Sequence, residues 1–136
     1  MSARGKARRR ALEVLYAADI RGQPSLEVLA ERSAQEGPPI PEYAAELVRG
    51  VQAHRARIDE LLAANAEGWS LARMPPVDRN VLRIGAFELL WGEGIPDAVA
   101  ISEAVALAGE LSTEASPSFV NGLLARLLEL KPTLAL

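Results

Sequence analysis

The chain has 136 residues, 49% hydrophobic but only 4% aromatic, with no cysteine and a net charge of −3. That length suits one domain, residues 1–136, which buries about two-thirds of its unfolded surface without a staple. The missing cysteines exclude disulfides, thiolate zinc sites and thiol nucleophiles, and no run approaches the ~20 apolar residues that span a bilayer.

Leu and Ala with few aromatics favour helices over strands, so an all-α fold is expected: a compact bundle of six to seven helices. The first helix is predicted from about Arg4 to Arg21. Ala11, Leu12, Val14, Leu15 and Ala18 form its apolar face, and Gly22 and Pro24 close it. Ser25 is placed to cap a short second helix carrying Leu26, Val28 and Leu29. Gly37-Pro38-Pro39-Ile40-Pro41 is a loop, and Pro41 suits the first turn of a long third helix reaching about Ala66. Its stripe is Leu47, Val48, Val51, Ile58, Leu61 and Leu62, and Gly68 ends it.

Ser70 is expected to cap a short turn before Pro75-Pro76 interrupts the chain. The helix from Val77 to Trp91 is apolar almost all round and belongs at the centre of a bundle. Gly92, Gly94 and Pro96 break it, and a helix over Ala98–Leu111 follows. Ser116-Pro117 reads as a cap and first-turn proline opening a last helix, stopped by Pro132. No strand pattern, repeat or low-complexity segment competes.

The charge is divided. Arg4, Lys6, Arg8, Arg9 and Arg10 lie in the first ten residues without an acid, while the rest of the chain carries −8. Such segregation suggests a localised polyanion site. Thirteen of the fifteen basic residues are Arg, whose planar fork matches phosphate. Cations at a helix start oppose the macrodipole, so the arm is expected to fray and to order on RNA. A solvated terminus explains the same residues equally well. No apolar run follows the arm, as a secretory signal requires, so a soluble cytoplasmic protein is expected.

Catalytic, metal and cofactor sites find no candidate residues. His54 is the one histidine and reads as a packed helix residue. No nucleophile elbow, phosphate loop or His/Cys ligand spacing occurs, and no enzyme is expected. Arg79 and Arg83, four apart on an apolar helix, require partners, which Asp78, Glu88 or Glu103 can supply within the chain, with a partner protein or a phosphate as the functional alternative. Phe119 reads either as core or as a ring that stacks on an unpaired base, and Tyr16 and Trp69 are similarly divided. Gly122 inside a helix hints at close helix approach.

Four blocks resemble a known family. Arg8-Arg9-Arg10-Ala11 leads into Leu15-Tyr16, and Val77-Asp78-Arg79 runs through Val81-Leu82-Arg83-Ile84 to Phe87-Glu88-Leu89. Ile95-Pro96 continues through Val99-Ala100-Ile101-Ser102-Glu103-Ala104-Val105, and Phe119-Val120-Asn121-Gly122-Leu123-Leu124 closes the series. In this order, over nearly the whole chain, they resemble the NusB family of transcription antitermination factors. The resemblance implies a helical bundle that binds the boxA element of nascent ribosomal RNA. It does so with NusE, a ribosomal protein, and acts through the RNA polymerase antitermination complex. It further implies that Arg4, Lys6, Arg8, Arg9 and Arg10 hold RNA, extended by Ser116, Phe119 and Asn121. Tyr16, Asp78 and Glu88 would face NusE. Two departures fall near that surface: Gly109 where the family often has lysine, and Ala115 where an acid is common.

Two alternatives accompany this reading. One is the RNA-binding domain of a ribosomal RNA methyltransferase, which the length of the chain and its Met1 start disfavour. The other is a helical protein-binding adaptor with an incidental basic tail. A homodimer that buries the arm is compatible with either.

Overall fold

In the computed structural model, which describes residues 1–136, seven α-helices pack together and no strand occurs. α1 (Ala3–Arg21) starts where the Ser2 hydroxyl accepts the Gly5 N–H at 3.0 Å. It ends at Gly22, whose φ of 65° lies in the left-handed region that glycine adopts without penalty. The basic arm is thus helical from Ala3. Its cations still oppose the dipole, but Gly5, Ala7, Arg8 and Ala11 are buried against the bundle and hold the first turns down. Packing outweighs the local charge.

α2 (Ser25–Ser33) follows directly. Ser25 does not cap it: Pro24 takes the cap position, and the buried Ser25 hydroxyl donates to Gln52 Oε1 at 2.9 Å. The expected long third helix is two helices, α3 (Glu42–Ala53) and α4 (Arg55–Asn65). They meet at His54, whose φ of −108° and ψ of 13° leave the helical region. The His54 ring stacks on Trp91 at 4.1 Å and 16°, a contact between elements distant in sequence. Apolar periodicity runs through the break unchanged, which is why it does not mark the bend. Pro41 precedes α3 as its cap rather than entering its first turn.

A 3-10 turn, Leu71–Arg73, leads to α5 (Pro76–Trp91), the central helix, which packs against α1, α3, α4, α6 and α7. α6 (Asp97–Leu111) and α7 (Ser116–Leu130) complete the bundle. Gly85 of α5 permits their approach. A Cβ there would lie 2.7 Å from Leu124 Cδ1 and 3.2 Å from Ala104 Cβ, so no larger residue fits without movement. The core is aliphatic, with Leu47, Ile58, Leu62, Leu82, Ile84, Leu89, Leu124 and Leu127 fully buried. No helix is long and apolar enough to cross a membrane.

Arg79 and Arg83 do have internal partners, but on other helices than expected. Arg79 Nε and Nη2 donate to Asp19 at 2.6 and 2.9 Å, and Asn80 Nδ2 donates to the same carboxylate at 2.8 Å. Arg83 forks onto Asp59 at 2.9 and 3.2 Å and reaches Asn80 Oδ1 at 3.0 Å. The cluster ties α5 to α1 and α4. Burial alone would raise the Asp19 pKa, yet the donors Arg79 and Asn80 and the charge of Arg83 outweigh it. The carboxyl is held below its ordinary value of 3.8.

A depressed carboxylate pKa adds stability above the unfolded value that is lost as pH falls through the folded one. Asp19→Asn is therefore expected to cost about 1.5–3 kcal/mol at pH 7. Urea unfolding should show that difference shrinking as the pH drops below about 4. A gap that stays constant down to pH 2 would remove Asp19 from the acid response.

Candidate nucleic-acid interface

The spacing of α1 sorts its cations. Arg8 falls on the inward side with Leu12 and Leu15, whereas Lys6, Arg9, Arg10, Glu13, Tyr16 and Ile20 follow the outward stripe at intervals of three and four. Lys6 is exposed and has no ion pair. Arg9 meets Glu110 at the end of α6 at 3.2 Å, with both side chains nearly half exposed. Arg10 lies 3.6 Å from Glu13. Exposed pairs of this kind contribute little, so both guanidinium groups can exchange a carboxylate for a phosphate. Arg4 is exposed, with its guanidinium 4.8 Å above the Tyr43 ring. Four cations thus project from two turns of helix.

Arg8 is a correction. Its side chain is 3% exposed, and it binds Glu88 through Nε at 2.8 and 3.1 Å and through Nη2 at 3.0 Å. The Tyr43 hydroxyl donates to the same carboxylate. Burial opposes the Arg8 charge, but the Glu88 hydrogen bonds and charge outweigh it and raise the pKa further. For Tyr43, burial, the hydrogen bond to Glu88 and the Glu88 charge all hold the phenol protonated, raising its pKa. Arg8 is buried within this pair and offers no exposed face to RNA, and Glu88, 1% exposed, has none for a protein partner. Both residues fasten α1 to α5.

Asp78 and Ser116 are corrected in the same way. Asp78 is buried at the start of α5 and accepts from the Ser112 hydroxyl and, at 2.9 Å, from the Ser116 hydroxyl. Ser116 is also buried, begins α7 rather than capping it, and accepts the Thr113 N–H at 3.2 Å. Neither is available to RNA or to a protein partner. Their hydrogen bonds hold the α6–α7 turn in place and so aim the residues that follow.

Those residues reach solvent. Phe119 is half-buried and Asn121 exposed, one turn into α7. Trp69, 50% exposed, sits with its ring centroid 6.2 Å from that of Phe119. A cavity of about 190 Å³ runs from this pair to Ala115 and Ser116. A larger groove of about 540 Å³ runs the other way, past Asn65 and Gly122 to Arg126. Asn65 and Arg126 found no place in the sequence reading. Phe119, Gly122 and Arg126 share one helical face at spacings of three and four, which was the available signal for Arg126. The approach of the Asn65 end of α4 to that face has no local signature.

Gly109 is exposed, and a Cβ there would only touch Pro117 at an ordinary 3.6 Å. A longer side chain would fit, so glycine is not a packing requirement. Tyr16 is 40% exposed beside Ile20 at 57%, making an apolar continuation of the α1 stripe.

The arrangement defines a helical bundle with a cationic, aromatic-edged face of the kind that binds polyanions. The chain belongs to the NusB family, whose model matches residues 5–129. It is 62% identical over 133 residues to the transcription antitermination protein NusB of Thermobifida fusca, covering 98% of this chain and 94% of that one. Among solved structures it is similar to T. maritima NusB, with a TM-score of 0.83 at 34% identity, covering 94% of this chain and 92% of that one. It is also similar to the NusB chain of a complex of NusB and NusE with dsRNA. There the TM-score is 0.76 at 30% identity, covering 93% and 96% of the two chains.

Proposed function

We infer that this chain is a transcription antitermination factor, a regulator rather than a catalyst. It binds the boxA element of nascent ribosomal RNA together with NusE and promotes read-through by RNA polymerase, which places its action in the cytoplasm. One observation carries the reading: in a NusB-family chain, Arg4, Lys6, Arg9 and Arg10 project from the first turns of α1. Arg9 reaches the end of α6, from which the α6–α7 turn leads to Phe119 and Asn121. The cations neutralise phosphates and release counterions, while the ring and amide address unpaired bases. Tyr16, further along the same stripe, is available to NusE. Arg8, Ser116, Asp78 and Glu88 act from beneath by fixing the two helices that carry these contacts.

Fluorescence anisotropy of a boxA-type RNA against a scrambled RNA, with and without NusE, tests this. Preference for boxA is expected, strengthened by NusE, with a log-log salt slope near about −3 for four neutralised phosphates. Equal, weak binding of both RNAs even with NusE would leave a protein-binding helical adaptor.

A further inference from the structure

We propose that the groove between the Trp69 turn and α7 takes an unpaired nucleobase of the bound RNA, with Trp69 joining Phe119 as its stacking surface. Trp69 lies outside the helices, in the turn between α4 and α5, where its N–H donates to Ala66 O at 3.1 Å. A large apolar ring left half exposed in a braced turn is poorly used as core. It meets Phe119 at a tilt of 56° and 6.2 Å, so the two rings form one aromatic ridge with hollows on either side. Phe119 belongs both to this ridge and to the RNA face described above, which makes the groove a continuation of that face. The inference rests on that RNA reading.

The lining selects a base over a phosphate. Its two charged residues, Glu67 and Arg126, are opposite in sign, and Arg126 already meets Glu129 at 3.1 Å. No net positive field is left for an anion, unlike at the start of α1. The polar groups suit the edge of a heterocycle instead. Asn65 spends its Nδ2 on Leu61 O at 2.8 Å, and no hydrogen bond occupies its Oδ1, so that oxygen is free to accept from an exocyclic amine. Ser118 adds a hydroxyl at the rim. Gly122 leaves the helix surface bare, since a Cβ there would meet nothing within 4 Å. Gly122 is therefore not needed for helix packing, contrary to the expectation from sequence, and its lack of a side chain keeps the groove open. Aromatic surface with hydrogen-bonding edges and little charge is the chemistry that holds an unstacked base.

The test uses the full chain, a boxA-type single-stranded RNA and NusE. Trp69→Ala is expected to weaken RNA binding by roughly 5- to 150-fold, the range for loss of one base–aromatic stack. Trp69→Phe should keep most of the affinity. NusE affinity and the unfolding midpoint should be unaffected, because the side chain is half exposed. Tryptophan emission should be quenched on RNA binding in the wild type, and that quenching should be lost in Trp69→Ala. A scan of abasic RNAs should find one position where removing the base costs the wild type affinity but costs Trp69→Ala nothing more. Unchanged RNA affinity in Trp69→Ala overturns the proposal while leaving the RNA function intact. Loss of NusE binding instead assigns the groove to a peptide and also overturns it. Failure of the wild type to bind RNA at all overturns both readings.

Discussion

Replacing Glu88 with alanine is expected to destabilise the fold by about 3–5 kcal/mol, the cost of stranding a buried charge. Arg8 and Glu88 are 3% and 1% exposed, and three hydrogen bonds join them. Removing the carboxylate leaves the guanidinium with only Glu103 Oε1, 3.8 Å away and one-third exposed, as compensation. It also removes the acceptor of the Tyr43 hydroxyl. Arg8 would have to drag the first turns of α1 toward water or remain buried and unpaired. Replacing both residues with apolar ones of similar volume, Arg8→Met with Glu88→Leu, should recover most of the loss, because no charge is then left behind. Urea unfolding of the wild type, the single variant and the double variant at pH 7 measures both effects. A single variant within about 1 kcal/mol of wild type would show that Arg8 escapes to solvent at little cost.

The second large effect concerns RNA. Changing Arg4, Lys6, Arg9 and Arg10 together to alanine should flatten the salt slope by about 3, since each phosphate contact on a single strand contributes about 0.7. Near 0.1 M salt that corresponds to a loss of roughly 10²- to 10³-fold in affinity. The fold should survive. The four side chains are wholly or partly exposed, their two carboxylate contacts are surface pairs, and alanine has the better helix propensity. Arg8→Ala makes the opposite control: it should lower stability strongly while leaving the salt slope close to wild type. If Arg8→Ala instead flattened the slope by about 0.7 as well, the ion pair with Glu88 would have to open on RNA, and Arg8 would rejoin the contact set.

Much of this was legible in the chain itself. The periodicity of Leu, Val and Ala located the helical segments, with α3 and α4 read as one, because a helix face repeats within a few residues of itself. Gly22 and the segments Pro38–Pro41 and Pro75–Pro76 marked where helices cannot continue. Five basic residues and no acid in the first ten, set against an acidic remainder, located the polyanion face. The bend at His54 escaped, since the apolar stripe runs through it unbroken and the ring that His54 stacks on, Trp91, lies thirty-seven positions further along the chain.

Chain order alone therefore specified an all-α bundle, the centrality of the helix from Pro76 to Trp91 and a cationic amino terminus, since each depends on neighbouring residues. Only packing decided which charged residues do what. Arg8 and Arg9 are adjacent, yet a turn of 100° sends one to Glu88 in the interior and leaves the other on the surface. Asp78 and Ser116 likewise read as surface groups until α5 and α7 meet and bury them against each other. Trp69 gained meaning only when the turn after α4 came to rest beside Phe119. A carboxylate, a hydroxyl or an indole is equally able to bind a partner or to brace a fold. The choice is made by what lies across the interface, and that neighbour is distant in sequence.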